Sequence, residues 1–329
     1  PGPLKMLIET RFGDTNQLHL VERPGGARTQ LTFFRDATHG ALYQPTAGDF
    51  FIFNKDKGGD EFYQKYKYTP ATKTVELLTD GKSRNTGGVW SHSGQQYAFG
   101  STRRNGKDVD IFVLNGEKGG ERLLSECSGW NVSDWTWDNK TVLLQDEASV
   151  NDSHLWLLDV SSGQKAAFLP TDASAKVYYG QALFTPDGKG LYAITDNGSE
   201  FQRLAYIDLQ TKEHTYLTNA IPWDILEFDI SDDGAKLAFV ANEDGLSTLH
   251  VLDTATKKEL SLPGIPAGQV SNVRWHKNSR DLAFNVESAQ CPSDAYSLNI
   301  SNNQIDRWTH SETGFVDLSR ATEPKLIHW

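Results

Sequence analysis

Serine, histidine and aspartate are plentiful in this chain, and in the right order they make a nucleophilic hydrolase. That chemistry needs a Gly-x-Ser-x-Gly elbow to present the serine on a sharp turn, with an aspartate and a histidine further along to complete the relay. No stretch has that spacing. The chain alone is therefore expected not to be an enzyme and offers no catalytic residue. Other polar groups are more informative. Lys57-Gly58-Gly59-Asp60-Glu61 sets two carboxylates side by side on a glycine-rich tip. Asp60 and Glu61 together can hold an ammonium group; the competing reading is a solvated hairpin. Arg11 and Asp14 flank another glycine-containing turn, where they would either make a polar contact at a domain interface or simply close the turn. His92 and His276 are the histidines best placed for a metal, provided that several inner-strand histidines converge. A single histidine per strand more often packs or faces water, and no metal or other cofactor is expected. Asp229-Ile230-Ser231-Asp232-Asp233-Gly234 lacks the ligand spacing and distal glutamate of a calcium loop and reads as a hairpin turn.

The elements that must position these groups are read from composition and then from periodicity. With 38% hydrophobic and 23% charged residues, the 329-residue chain can bury a large core and is not composed like a disordered protein. A net charge of −11 repels phosphate backbones, so nucleic acid is excluded as a partner. No run approaches the roughly 20 apolar residues of a membrane-spanning helix, and no basic-then-apolar leader opens the chain. No membrane association is expected. Two cysteines, Cys127 and Cys291, make neither a disulfide scaffold nor a zinc pair. Free thiols fit a reducing compartment, so a cytoplasmic location is expected; a periplasmic one would follow if a leader had been removed ahead of Pro1-Gly2-Pro3-Leu4-Lys5, which reads like domain interior.

A unit of apolar strand, turn and apolar strand recurs along the chain. It is clearest in Val89-Trp90-Ser91-His92-Ser93-Gly94-Gln95-Gln96-Tyr97-Ala98-Phe99. With Gly2, Gly48, Gly94, Asn139, Gly188, Gly234 and Ser279 as turn markers, the successive spacings are 46, 46, 45, 49, 46 and 45 residues. Small or polar residues at those places tolerate the positive φ of a hairpin reversal. Third strands are expected at 17–22, 63–69, 110–115, 155–160, 203–209, 248–254 and 295–300, and fourth strands at 28–32, 74–79, 121–125, 213–218 and 259–262. A fixed period of this length is the mark of four-stranded propeller blades, whereas a β-sandwich does not repeat its connections at one period. The fold class expected is all-β, a seven-bladed β-propeller with blades at 1–36, 37–83, 84–128, 129–173, 174–220, 221–265 and 266–312. The first blade is expected to lack its innermost strand, because Gly2 already occupies the turn that should follow it; segment 314–319 is considered as a substitute. Trp90, Trp137 and Trp275 are expected in the core between blades.

Several stretches carry a family resemblance: Thr10-Arg11-Phe12-Gly13-Asp14-Thr15-Asn16-Gln17-Leu18-His19, Pro24-Gly25-Gly26-Ala27-Arg28-Thr29-Gln30-Leu31-Thr32, Lys57-Gly58-Gly59-Asp60-Glu61-Phe62-Tyr63-Gln64, Asp80-Gly81-Lys82-Ser83-Arg84-Asn85 and Thr102-Arg103-Arg104-Asn105-Gly106-Lys107-Asp108. They resemble bacterial S9 peptidases of the dipeptidyl-aminopeptidase and acylaminoacyl-peptidase type, which join an N-terminal propeller to a C-terminal α/β-hydrolase. Glu323-Pro324-Lys325-Leu326-Ile327-His328-Trp329 looks like the linker between the two, so 313–329 is expected to lead to a hydrolase domain absent from this sequence. The resemblance implies a non-catalytic propeller that gates access of peptides to a serine peptidase and helps to select them, with that hydrolase domain and peptide substrates as partners. On this reading Asp60, Glu61 and Arg11 are substrate-contact candidates and Asp14 an interface candidate. The alternatives are a free-standing, TolB-like propeller that docks proteins and a metal-dependent polysaccharide lyase built on a propeller.

Overall fold

The computed structural model describes residues 4–116, 120–172, 174–322 and 324–327. Of the residues singled out in the sequence, Pro1, Gly2, Pro3, Glu323, His328 and Trp329 lie outside these. The described chain forms 27 strands and one short 3-10 turn, Leu318–Arg320. The strands assemble in chain order into seven antiparallel sheets: a first of three strands (Met6–Thr10, Gln17–Val21, Arg28–Gln30) and six of four. Successive antiparallel meanders repeated at one period make the fold a seven-bladed β-propeller.

The turn markers explain the reversals. Gly48, Gly94, Asn139, Gly188, Gly234 and Ser279 all have φ between +54° and +69°. From Gly94 onward each donates its N–H to the carbonyl three residues back, as in Gly94 N to Ser91 O at 2.8 Å and Gly234 N to Ser231 O at 2.7 Å. This is a type I turn followed by a left-handed residue, a hairpin connection that matches the right-handed twist of the strands.

The chain divides into two compact units, residues 1–22 with 27–178, and residues 23–26 with 179–329. In the first unit, the second strand of sheet 2, Phe51–Lys55, is buried on both faces. Phe51 and Phe53 pack with Leu18 of sheet 1, while Phe50 and Ile52 pack with Trp90, Tyr97 and Phe99 of sheet 3. Ala98, Ile111 and Val113 of sheet 3 in turn meet Trp135, Val142 and Leu144 of sheet 4. The second unit repeats the plan, with Ile194 and Leu204 against Phe228 and Phe239, and Ala238 and Val240 against Val273, Leu282 and Phe284. Strands covered on both sides read as unbroken apolar runs, which is why the alternation fades at these second strands.

Tryptophans tie neighbouring sheets together. Trp90 Nε1 donates to Leu42 O (3.3 Å), Trp135 Nε1 to Val89 O (3.1 Å) and Trp275 Nε1 to Asp229 O (3.2 Å). Each ring lies between two sheets while its polar edge is satisfied by the preceding one. Trp90 and Trp275 are as expected. The third member is Trp135, fully buried, and not Trp137, which is half-buried and stacks on His92 with ring centroids 4.0 Å apart.

Third strands fall close to their expected places, whereas several fourth strands end early: Arg28–Gln30, Thr74–Leu77 and His214–Tyr216. The cause is a threonine that replaces ladder bonding with its side chain. The Oγ1 of Thr32, Thr79 and Thr218 accepts the N–H of Leu18, Lys65 and Leu204 at 2.9, 3.1 and 3.0 Å. Thr309 does the same for Ala295 at 2.9 Å. Sheets 4 and 7 have fourth strands at Lys165–Leu169 and Gln304–Arg307 that the sequence reading did not specify. Segment 314–319 does not supply the missing strand of sheet 1. It bonds locally, Val316 N to Thr313 O at 3.1 Å and Arg320 N to Asp317 O at 3.2 Å, and forms no ladder, so the first sheet keeps three strands among the described residues.

Candidate functional site

The residues singled out in the sequence are not drawn into one cluster. Arg11 and Asp14 are exposed in the turn after Thr10, and among the described residues no ion pair links them. The 56–63 loop of sheet 2 holds Asp60 and Glu61. Asp60 Oδ1 accepts the N–H of Phe62 at 2.9 Å and that of Lys57 at 3.4 Å, so its carboxylate shapes its own loop. Glu61 has φ +60° and an exposed carboxylate 3.9 Å from the Arg84 guanidinium. His92 makes a 2.9 Å hydrogen bond through Nε2 with the carbonyl of Trp135. His276, exposed at a hairpin of the second unit, accepts the N–H of Asn278 at Nδ1 (3.2 Å). Among the described residues no group of three or more histidine, cysteine or acidic side chains is arranged to hold a metal.

The best-built polar site lies in the first unit, at one end of sheets 2 and 3. His39 on the first strand (Thr38–Tyr43), Asn54 on the second and Lys65 on the third (Gln64–Thr69) form a cross-strand row, because His39 pairs with Asn54 and Asn54 with Lys65. Lys65 is only 1% exposed. Its ammonium donates to Asn54 Oδ1 (2.7 Å) and to the Gly87 carbonyl, and lies 6.0 and 5.9 Å from the ring centroids of Tyr97 and Phe99. Withdrawal from water brings its pKa down to about 7.

Two glycine bulges open the space beside it. The first strand of sheet 3, Asn85–Trp90, slips register between Thr86 and Val89. There Gly88 has φ +136°, and a Cβ on it would stand 2.0 Å from the Tyr97 hydroxyl. The first strand of sheet 2 slips between His39 and Leu42, where a Cβ on Gly40 would reach 2.7 Å from Asn54 Nδ2. The resulting cavity of about 610 Å³ is lined by His39, Asn54, Tyr63, Lys65, Arg84 and Tyr97, among others. Burial also pushes the Tyr97 hydroxyl pKa well up, so that group stays protonated.

The sequence reading missed Lys65, and for a physical reason. In Gln64-Lys65-Tyr66-Lys67-Tyr68 the lysines alternate with aromatics, and alternation normally assigns charge to the water side. A propeller blade has no such side at this strand. The available signal was the pair Gly87-Gly88 within a strand, which marks a bulge or a close approach.

The second unit has its own withdrawn carboxylate. Asp229 Oδ2 accepts the N–H of Trp275 at 2.6 Å. Burial lifts its pKa to about 6 against the opposing pull of Arg274. Glu227 is raised by the same cause.

Comparisons with known proteins agree with this architecture. A family model described as the N-terminal β-propeller domain of prolyl oligopeptidase matches residues 127–311. Among solved structures, a puromycin-hydrolyzing peptidase of Mycobacterium tuberculosis is similar over 94% of this chain and 51% of its own, at 14% identity and a TM-score of 0.75. A chain from a study of two prolyl endopeptidases is similar over 93% of this chain and 48% of its own, at 14% identity and a TM-score of 0.73. TolB from Acinetobacter baumannii is similar over 94% of this chain and 80% of its own, at 14% identity and a TM-score of 0.58. At such identities the likeness concerns the fold. The chain spans about half the length of the two peptidase chains. A sequence comparison with curated proteins gives no match.

Proposed function

The chain belongs to the family of prolyl oligopeptidase N-terminal β-propeller domains, and from that premise we propose that it is the non-catalytic half of an S9-type serine peptidase. In this reading a C-terminal α/β-hydrolase domain of the same parent chain carries the nucleophile elbow, and 313–329 leads into it. The propeller covers that active site, admits peptides and keeps folded proteins out; Asp60, Glu61 and Arg11 contact substrate, and Asp14 lies at the junction. The observation that carries the proposal is the extent of the structural match: nearly the whole of this chain corresponds to about half of each peptidase chain. Free cysteines support placement in the cytoplasm.

The test is the parent protein itself. Its reading frame should encode a Gly-x-Ser-x-Gly elbow beyond residue 329, and the purified parent should cleave short peptides while leaving a folded protein containing the same sequence intact. Equal rates on both would remove the gating role. The TolB-like reading is favoured by one observation, the 80% coverage of a TolB chain. A parent frame without any hydrolase would favour it over the first.

A further inference from the structure

The cavity between sheets 2 and 3 has features that gating does not require. Lys65 is a buried cation whose two hydrogen-bond acceptors, Asn54 Oδ1 and Gly87 O, are both neutral. Among the described residues no carboxylate stands within ion-pair distance of it, and the third N–H of its ammonium has no protein acceptor. A buried charge without a counter-ion is costly, and proteins normally pair it. Here the space beside it is held open. Gly40 and Gly88 stand where side chains would fill the cavity wall. The rim carries two further basic groups, each only loosely tied. Arg84 is 3.9 Å from Glu61 and His39 is 3.8 Å from Glu9, and all four side chains are at least 36% exposed. Tyr63 and Leu42 add apolar wall. A volume of about 610 Å³ suits a ligand of dipeptide size.

We infer that this cavity is a receptor for the carboxylate of a small ligand, either an organic acid or the C-terminus of a short peptide, with the Lys65 ammonium as its counter-ion and Arg84 and His39 at the entrance. A single buried ammonium matches one negative charge. Phosphate is disfavoured, because the backbone at Gly87 presents its carbonyl to the site, and that carbonyl and Asn54 Oδ1 are acceptors that would repel a dianion. The inference concerns this chain alone and does not rest on the presence of a hydrolase domain. The charged and titratable groups facing Lys65 are His39 from the first strand of sheet 2, Tyr63 from the loop, Arg84 ahead of sheet 3 and Tyr97 from its second strand, with Glu9 and Glu61 behind the rim.

Calorimetric titration of the full chain tests it, with acetyl-Ala-Ala, its C-terminal amide, 3-phenylpropionate and inorganic phosphate as probes. At least one of the two carboxylates should bind, and which of them does identifies the source; the amide and phosphate should not. A bound carboxylate stabilises the charged lysine, so affinity should fall by about tenfold or more from pH 6 to pH 9. Near pH 8, binding should take up most of one proton, read as a dependence of the heat on the ionisation enthalpy of the buffer. Lys65→Met should lose both binding and proton uptake while melting no lower than wild type near pH 6. His39→Gln should keep the uptake, and Arg84→Met should weaken binding severalfold. Failure of both carboxylates to bind, equal binding of the amide, binding by wild type without proton uptake, or undiminished binding by Lys65→Met would each overturn the inference. The wild-type proton measurement decides the matter even where a variant folds poorly.

Discussion

At the scale of single residues, this chain places its polar groups where a neighbouring sheet can use them. The indole N–H of Trp135 is the clearest case, since the ring is fully buried and its donor meets Val89 O at 3.1 Å. Trp135→Phe should keep most of the apolar contact but lose that bond between sheets, costing about 0.5–1.5 kcal/mol in urea unfolding. Trp137→Phe, at a half-buried ring stacked on His92, should change stability by about 0.5 kcal/mol or less. Asp229 gives a pH dependence whose sign can be worked out. Its pKa in the folded chain, about 6, exceeds the ordinary value of about 4, so the folded state binds more protons in that window. Its contribution therefore favours folding below about pH 4 and is lost as pH rises through 6. Asp229→Asn can keep the bond from Trp275 N–H, and its melting-temperature advantage over wild type should grow from pH 4.5 to pH 7. A constant difference across that range would contradict the assignment. None of this was legible beforehand. Asp229 reads as a turn-proximal acid and Lys65 as a surface base, because a sequence shows which residues alternate but not whether the polar face of a strand meets water or the next sheet.

At the scale of elements, the legible part was the hairpin. Asn139 and Ser279 mark reversals as reliably as the glycines, since all adopt the same left-handed φ, and the spacing between them locates each sheet to within a few residues. The fourth strands were less legible, because a threonine such as Thr79 looks like one more β-branched strand residue while its hydroxyl is what ends the ladder. Bulges in the first strands were also invisible apart from their glycines. Those glycines yield a discriminating pair. Gly88→Ala, with φ +136° and the Tyr97 hydroxyl 2.0 Å from the added carbon, should destabilise by at least about 2 kcal/mol. At its neighbour Gly87, φ is +49° and no atom lies within 4 Å, so Ala should cost only about 1 kcal/mol. Thermal denaturation of the two variants side by side checks this, and equal losses would mean that strain alone, without the close approach, governs the bulge.

At the scale of the whole molecule, the fold was readable from one number, the period near 46 residues, because each blade repeats the same turn chemistry and the same crossing distance. The proposed function rests on family likeness, since a propeller presents many equivalent loops and its sequence does not single one out. The corresponding prediction is that this chain alone does not hydrolyse chromogenic aminoacyl substrates; turnover abolished by a serine-directed inhibitor would overturn it. The indole bonds bear on how such a chain could arise. All three point from a later sheet back to the one before it, from residue 90 to 42, 135 to 89 and 275 to 229. Donor and acceptor sit at nearly the same place in successive repeats, so a segment copied in tandem arrives with its own donor and finds the acceptor already waiting in its template. Growth by duplication is self-completing in this architecture, while a foreign strand meander inserted at the same place would arrive without the indole bond that ties it to the sheet before it.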